Sequence, residues 1–199
     1  MNELRVIDFD RINLLSLPSS FGYLINLSTL CLDDCLLGDI TVIGELKNLE
    51  ILSFSRSNIE LLPGEIGQLI QLKLLDLSKC SKLKVITPNV ISSLCLLEEL
   101  YLDDSFVQWE DGLSNQDQSN TTLSELNQLS HLTTWNICIP DAQIMPQDLF
   151  FQQLTRYRIL IGDAWSWSYS SAALRTLKLK LNHSNYLGYG MKMLLKISI

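Results

Sequence analysis

The sequence predicts an α/β solenoid, a curved right-handed β-α superhelix with a parallel sheet on its concave face and short helices or turns on its convex face. Three observations point there. A leucine-spaced segment begins at Leu4 (LRVIDFDRINL), Leu27 (LSTLCLDDCLL), Leu49 (LEILSFSRSNI), Leu72 (LKLLDLSKCSK) and Leu97 (LEELYLDDSFV), with weaker copies at Leu132, Leu154 and Leu174. Six of the seven intervals between these starts are 20 to 25 residues and one is 35. Together with an LxxLxLxx core, that spacing is the leucine-rich-repeat period. Finally, the last two leucines of the core stand two apart, so both leave a strand on the same side. One strand cannot bury that side alone, and stacked copies share one continuous core.

Each element has its own reason. Positions four and six of a repeat face the core; positions three, five, seven and eight lie on or at the rim of the exposed concave sheet. Position nine, where the strand ends, carries Cys35, Ser57, Cys80 and Ser105, with Ile12 as an apolar departure. A small side chain there turns inward, either packing as a hydrophobe or satisfying backbone groups between coils. The returns LLSLPSSFGYLINL and IELLPGEIGQLIQL share the frame LPxx(F/I)G. Proline fixes the chain direction after the strand, and the apolar residues that follow suit a short convex helix.

This divides the chain into regular repeats (1–104), an insertion loop (105–122) and degenerate repeats (123–199), an array expected to be cut at both ends because neither end shows a polar capping repeat. The insertion is polar and carries Trp109. An excursion of that length is either functional or disordered. Trp165, Trp167 and Tyr169 alternate in GDAWSWSYSS and, with Trp109, are candidate aromatic contacts; the alternative for the alternating group is convex-side core filling.

Composition narrows the function classes. The chain has 199 residues, 47% of them hydrophobic, and a net charge of −7. Nucleic acid is disfavoured, since its phosphates demand clustered Lys and Arg. No apolar run approaches a membrane span and the first residues are acidic, which reads as a cytoplasmic chain. Five cysteines, an odd number without a CxxC pair, argue against a disulfide framework and for a reducing compartment. No metal-ligand spacing, catalytic motif or phosphate-binding loop occurs, so no metal, cofactor or enzyme activity is expected. The glycosylation-type triplets at Asn26, Asn120 and Asn182 read as chance matches.

The concave positions of the first five repeats carry Asp8, Asp10, Asp33, Asp34, Asp76, Glu99, Asp103 and Asp104 against Arg11, Arg56 and Lys79; Tyr101 shares this face. The last three repeats place Arg156, Arg158, Lys178 and Lys180 there and no acid. The inner face therefore changes sign along its length. Such a face either keeps an uncovered sheet soluble or selects a protein of patterned charge.

The segments LPSSFGYLINLSTLCLDDC, LPGEIGQLIQLKLLDLSKCSKLKVI and NVISSLCLLEELYL, continued by IPDAQIMPQDL and IGDAWSWS, resemble the leucine-rich-repeat region of plant intracellular nucleotide-binding immune receptors of the coiled-coil class. That resemblance spans nearly the whole chain. It implies a module that restrains a nucleotide switch and senses a pathogen effector or a guarded host protein, its partners being those proteins and the receptor's own nucleotide-binding module. The nucleotide-binding part itself has no counterpart here, and no nucleotide-binding residue can be placed. The competing reading is a free-standing cytosolic repeat scaffold for signalling proteins.

Overall fold

The computed structural model of the chain describes residues 3–111, 119–146, 149, 153–162 and 175–180. Eight strands form one sheet: β1 (Val6–Asp10), β2 (Thr29–Asp33), β3 (Ile51–Ser53), β4 (Leu74–Asp76), β5 (Glu99–Tyr101), β6 (Thr134–Ile139), β7 (Arg156–Gly162) and β8 (Arg175–Lys180). They lie in chain order and every pairing is parallel. This is a leucine-rich-repeat solenoid. Seven gaps of about 4.8 Å give an arc of roughly 34 Å across the sheet.

The repeat is visible as columns of buried side chains. The first leucines Leu27, Leu49, Leu72 and Leu97 are fully buried, as are Leu30, Leu52, Leu75 and Leu100 at position four. Leu32, Phe54, Leu77 and Leu102 fill position six. Across the core from them stand Ile43, Ile66, Ile91 and Leu126, carried by short helical turns at Thr41–Glu45, Gly64–Gln68, Val90–Ser93 and Leu123–Gln128. Pro18 and Pro63 stand immediately before helical turns in extended conformation, φ −64° and −75°, as the LPxx(F/I)G frame requires.

Position nine does what a strand end needs. Ser57 Oγ donates to Leu32 O at 2.5 Å and accepts Cys35 N at 2.8 Å, while Cys80 Sγ donates to Phe54 O at 3.0 Å. The Ser57 hydroxyl and the Cys80 thiol each tie their coil to the position-six carbonyl of the coil before it. Cys35 and Cys80 are buried free thiols. Burial pushes the Cys80 thiol up to about 12, so it stays protonated and serves as a donor.

Position eight turns the corner that makes this inward swing possible. Arg11, Asp34, Arg56, Lys79 and Asp104 all have φ between 52° and 61°, the left-handed region that aspartate tolerates and that most side chains avoid. Two flank ladders also form, Asn13–Ser16 with Leu36–Asp39 and Leu61–Leu62 with Val85–Ile86. Gly38 is required in the first of these, since a Cβ there would lie 1.9 Å from Leu15 O.

Three expectations are corrected here. The eighth repeat is displaced: Thr176 pairs with Arg158, four residues after Leu154, so its register starts two residues before Leu174. The ends of the insertion are packed rather than loose. Phe106 is fully buried, Trp109 is 7% exposed, and their rings meet edge to face with centroids 5.0 Å apart. Trp109 Nε1 donates to Cys138 O at 3.0 Å, so the side chain belongs to the core and is not offered to a partner. On the other side of the insertion, Asn120 is buried, its Oδ1 accepting Ile86 N at 2.8 Å and its Nδ2 donating to Lys84 O at 2.9 Å. A glycan on this buried Nδ2 would have to displace the packing around it. Trp165, Trp167 and Tyr169 lie outside the described residues.

Candidate functional site

The parallel register lays the concave face out as three columns. The first runs Val6, Thr29, Ile51, Leu74, Glu99, Thr134, Arg156; the central one runs Asp8, Cys31, Ser53, Asp76, Tyr101, Asn136, Arg158, Thr176. The third begins Asp10, Asp33 and ends Cys138, Leu160, Lys178. Asp8, Asp10, Asp33, Asp76, Tyr101, Arg156, Arg158 and Lys178 thus stand on the sheet itself. Asp34 and Asp104 sit at its left-handed corners, with Asp103 beside the second of them. Lys180 pairs with Gly162 at the end of β8, and its side chain is outside the described set.

The acidic charges fall into two groups. Asp34 is bound by the neighbouring corner residue, Arg56 Nε to Asp34 Oδ2 at 2.8 Å, and Asp10 lies 3.4 Å from the Arg11 guanidinium. Among the described residues, Asp8, Asp33, Asp76, Asp103 and Asp104 are in no ion pair. Three of them are held by neutral donors: Asp33 accepts Ser53 Oγ at 2.6 Å, Asp76 accepts Ser78 N at 2.8 Å and Asp103 accepts Asn136 Nδ2 at 3.5 Å. Between the acidic and basic stretches stands Glu99, which meets Arg156 at 3.0 Å and accepts the Tyr101 hydroxyl. Burial first, then the Glu99 hydrogen bond and charge, holds the Tyr101 phenol well above its usual range.

The electrostatics mark one spot. Burial raises the Asp33 carboxyl above its ordinary value; the Ser53 hydrogen bond opposes this, Asp76 adds to it and Arg56 pulls it down. Burial also raises the half-buried Cys31 thiol, reinforced by Asp33, Asp8 and Asp76. A carboxyl raised in the folded state binds its proton more tightly there than in the unfolded chain. Its favourable contribution is therefore present at low pH and lost as pH rises through the folded value. Asp33→Asn, which still accepts from Ser53, is expected to raise the melting temperature at pH 7, with the gain shrinking as the pH falls and the carboxyl takes up its proton. A lower melting temperature at pH 7 would mean that Arg56 outweighs burial.

Sequence reasoning missed the apolar first column, because valine, isoleucine and leucine at position three look like core residues. Val6 is 55% exposed, and Ile51 and Leu74 are half-buried on the open side. Nothing in the sequence marks Glu125 as more than a convex-side charge. The Glu125 carboxylate instead accepts Asn89 N at 2.9 Å and Ser92 N at 3.2 Å, capping the turn of the preceding coil. No group of three or more His, Cys, Asp and Glu among the described residues is arranged to hold a metal, and no described helix is long and apolar enough to cross a membrane.

No protein-family description and no curated protein matches this chain. Solved structures do. An internalin C2 from Listeria monocytogenes is 25% identical with a TM-score of 0.46, over 80% of this chain and 74% of that one. A leucine-rich-repeat protein from Leptospira interrogans is 21% identical with a TM-score of 0.49, over 82% of this chain and 45% of its own length. A plant ice-binding protein is 18% identical with a TM-score of 0.40, over 79% of this chain and 49% of that one. This chain spans less than half of the Leptospira protein.

Proposed function

We propose that the chain is a protein-recognition module whose concave face restrains a plant-type intracellular immune receptor, docking at rest on a basic surface of the receptor's nucleotide-binding part. One observation carries the reading: five carboxylates on or beside the open face lack an ion-pair partner among the described residues, one of them raised by burial, while Arg156, Arg158 and Lys178 hold the far end. Keeping a half-buried carboxylate there works against stability, which is the usual mark of a position kept for binding. Effector or guarded-protein contacts would use the same face. The chain needs no cofactor and no reaction for this role.

The test is charge reversal in the full-length receptor. Asp33→Lys with Asp103→Lys is expected to loosen restraint and give signalling without a pathogen, because like charges opposed across an interface slow association and raise its free energy. Glu65→Lys, exposed on the convex side, is the matched control; Glu125→Lys is unsuitable because it would remove a cap. A folded double mutant that stays silent until challenged, with unchanged salt-dependent association, would leave the face a solvated surface and favour the free-standing scaffold.

A further inference from the structure

Building on that reading of the concave face, we infer that its acidic half receives a cationic amphipathic α-helix of about three turns, lying across β1 to β4. Two rows make the surface. The apolar row is Val6, Ile51 and Leu74, with Thr29 between, at paired positions of four successive strands. The polar row lies two residues further along the same strands, Asp8, Cys31, Ser53 and Asp76, with Asp33 beside it. Its middle is small side chains and its ends and flank are carboxylates.

Spacing selects the shape of the occupant. Strands lie about 4.8 Å apart, so the four positions of the apolar row repeat at that interval over about 14 Å. A helix presents one apolar face at i, i+3 or i+4, i+7 and i+11, steps averaging about 5.5 Å at a rise of about 1.5 Å per residue. Twelve helical residues therefore follow the row to within about 2 Å over its whole length. An extended segment shows one face every second residue, about 6.7 Å, and falls out of step within two strands. Charge selects the rest: Lys or Arg flanking the apolar stripe would meet Asp8, Asp33 and Asp76, none of which is in an ion pair among the described residues. The face ends at Glu99, already engaged by Arg156 and Tyr101, where the apolar row also stops.

Four labelled 14-residue peptides titrated into the full chain by fluorescence anisotropy test this. One places leucines at helical spacing with lysines along both flanks; the second scrambles it so that no apolar face forms; the third alternates leucine and lysine; the fourth keeps the helical pattern with a central proline. The helical peptide is expected to bind at least ten-fold more tightly than the other three. Asp33→Asn with Asp76→Asn should weaken it by ten-fold or more, and Val6→Gln should weaken it by a few-fold. Equal or tighter binding of the alternating peptide overturns the helix while leaving the concave face a recognition surface. Binding unmoved by all of these substitutions places the peptide elsewhere and overturns the inference. Loss of the charge-reversal effect in the receptor is a separate result, and it removes the reading on which this one stands.

Discussion

Trp109→Ala is expected to destabilise the fold by about 3–5 kcal/mol, the cost of emptying a buried aromatic site, and to shift the denaturant midpoint rather than any binding curve. The side chain is 7% exposed and packs edge to face on Phe106, itself fully buried. Its Nε1 donates to Cys138 O at 3.0 Å, so the residue fastens the insertion to the end of β6. The anchor is double, because Glu110 N donates to Thr121 O at 3.0 Å and Asn120 is pinned to the flank of the fourth coil. Trp109→Phe keeps the ring and loses the donor, and a single hydrogen bond contributes about 1 kcal/mol, so it should cost far less. Urea unfolding followed by circular dichroism separates the two. A Trp109→Ala chain as stable as the parent would return this tryptophan to the surface as a contact residue.

That residue also shows where the sequence stops being legible. Parity and period were enough for most of the sheet: seven of the eight strands begin two residues after the leucine that opens their repeat, from Leu4 and Val6 to Leu154 and Arg156. The eighth slipped because LKLKL, from Leu177 to Leu181, alternates strictly, and a two-residue slide of such a segment keeps every side chain on its face. Leu177 and Leu179 face inward in either register, so only the pairing of Thr176 with Arg158 decides it. The insertion has no period at all, and nothing local distinguishes a buried tryptophan in a polar stretch from an exposed one. On the concave face, the charges were readable by parity, and Arg56 with Asp34 by the alternation of position eight. The left-handed corners were half readable: Asp34 and Asp104 suit that conformation, whereas Arg11, Arg56 and Lys79 carry no such signal. Glu125 was unreadable because its hydrogen bonds reach a coil more than 30 residues earlier in the chain.

Core truncation should cost very different amounts along the array. Leu75→Ala, at a fully buried position paired on both sides with Leu52 and Leu100, is expected to lose about 3–5 kcal/mol through lost transfer energy and the cavity left behind. Leu4→Ala removes the same atoms from the opening position of the first repeat, where Leu27, Leu49, Leu72 and Leu97 are fully buried but Leu4 is 40% exposed. Full burial of a leucine side chain contributes roughly 1.5–3 kcal/mol, and a partly wetted one has less to lose and leaves no closed cavity, so a loss of about 1 kcal/mol is expected. The difference follows from stacking. Each inner coil is supported from two sides, whereas among the described residues β1 lies at the edge of the eight-stranded sheet and pairs with β2 alone, and in a linear array stability is a sum over neighbours. The same gradient should appear in hydrogen exchange, with the amides of Val6–Asp10 opening well before those of Leu74–Asp76. Equal losses at Leu4 and Leu75, with equal protection in the two strands, would show that the first coil is as well supported as the fourth and that the array opens as one block.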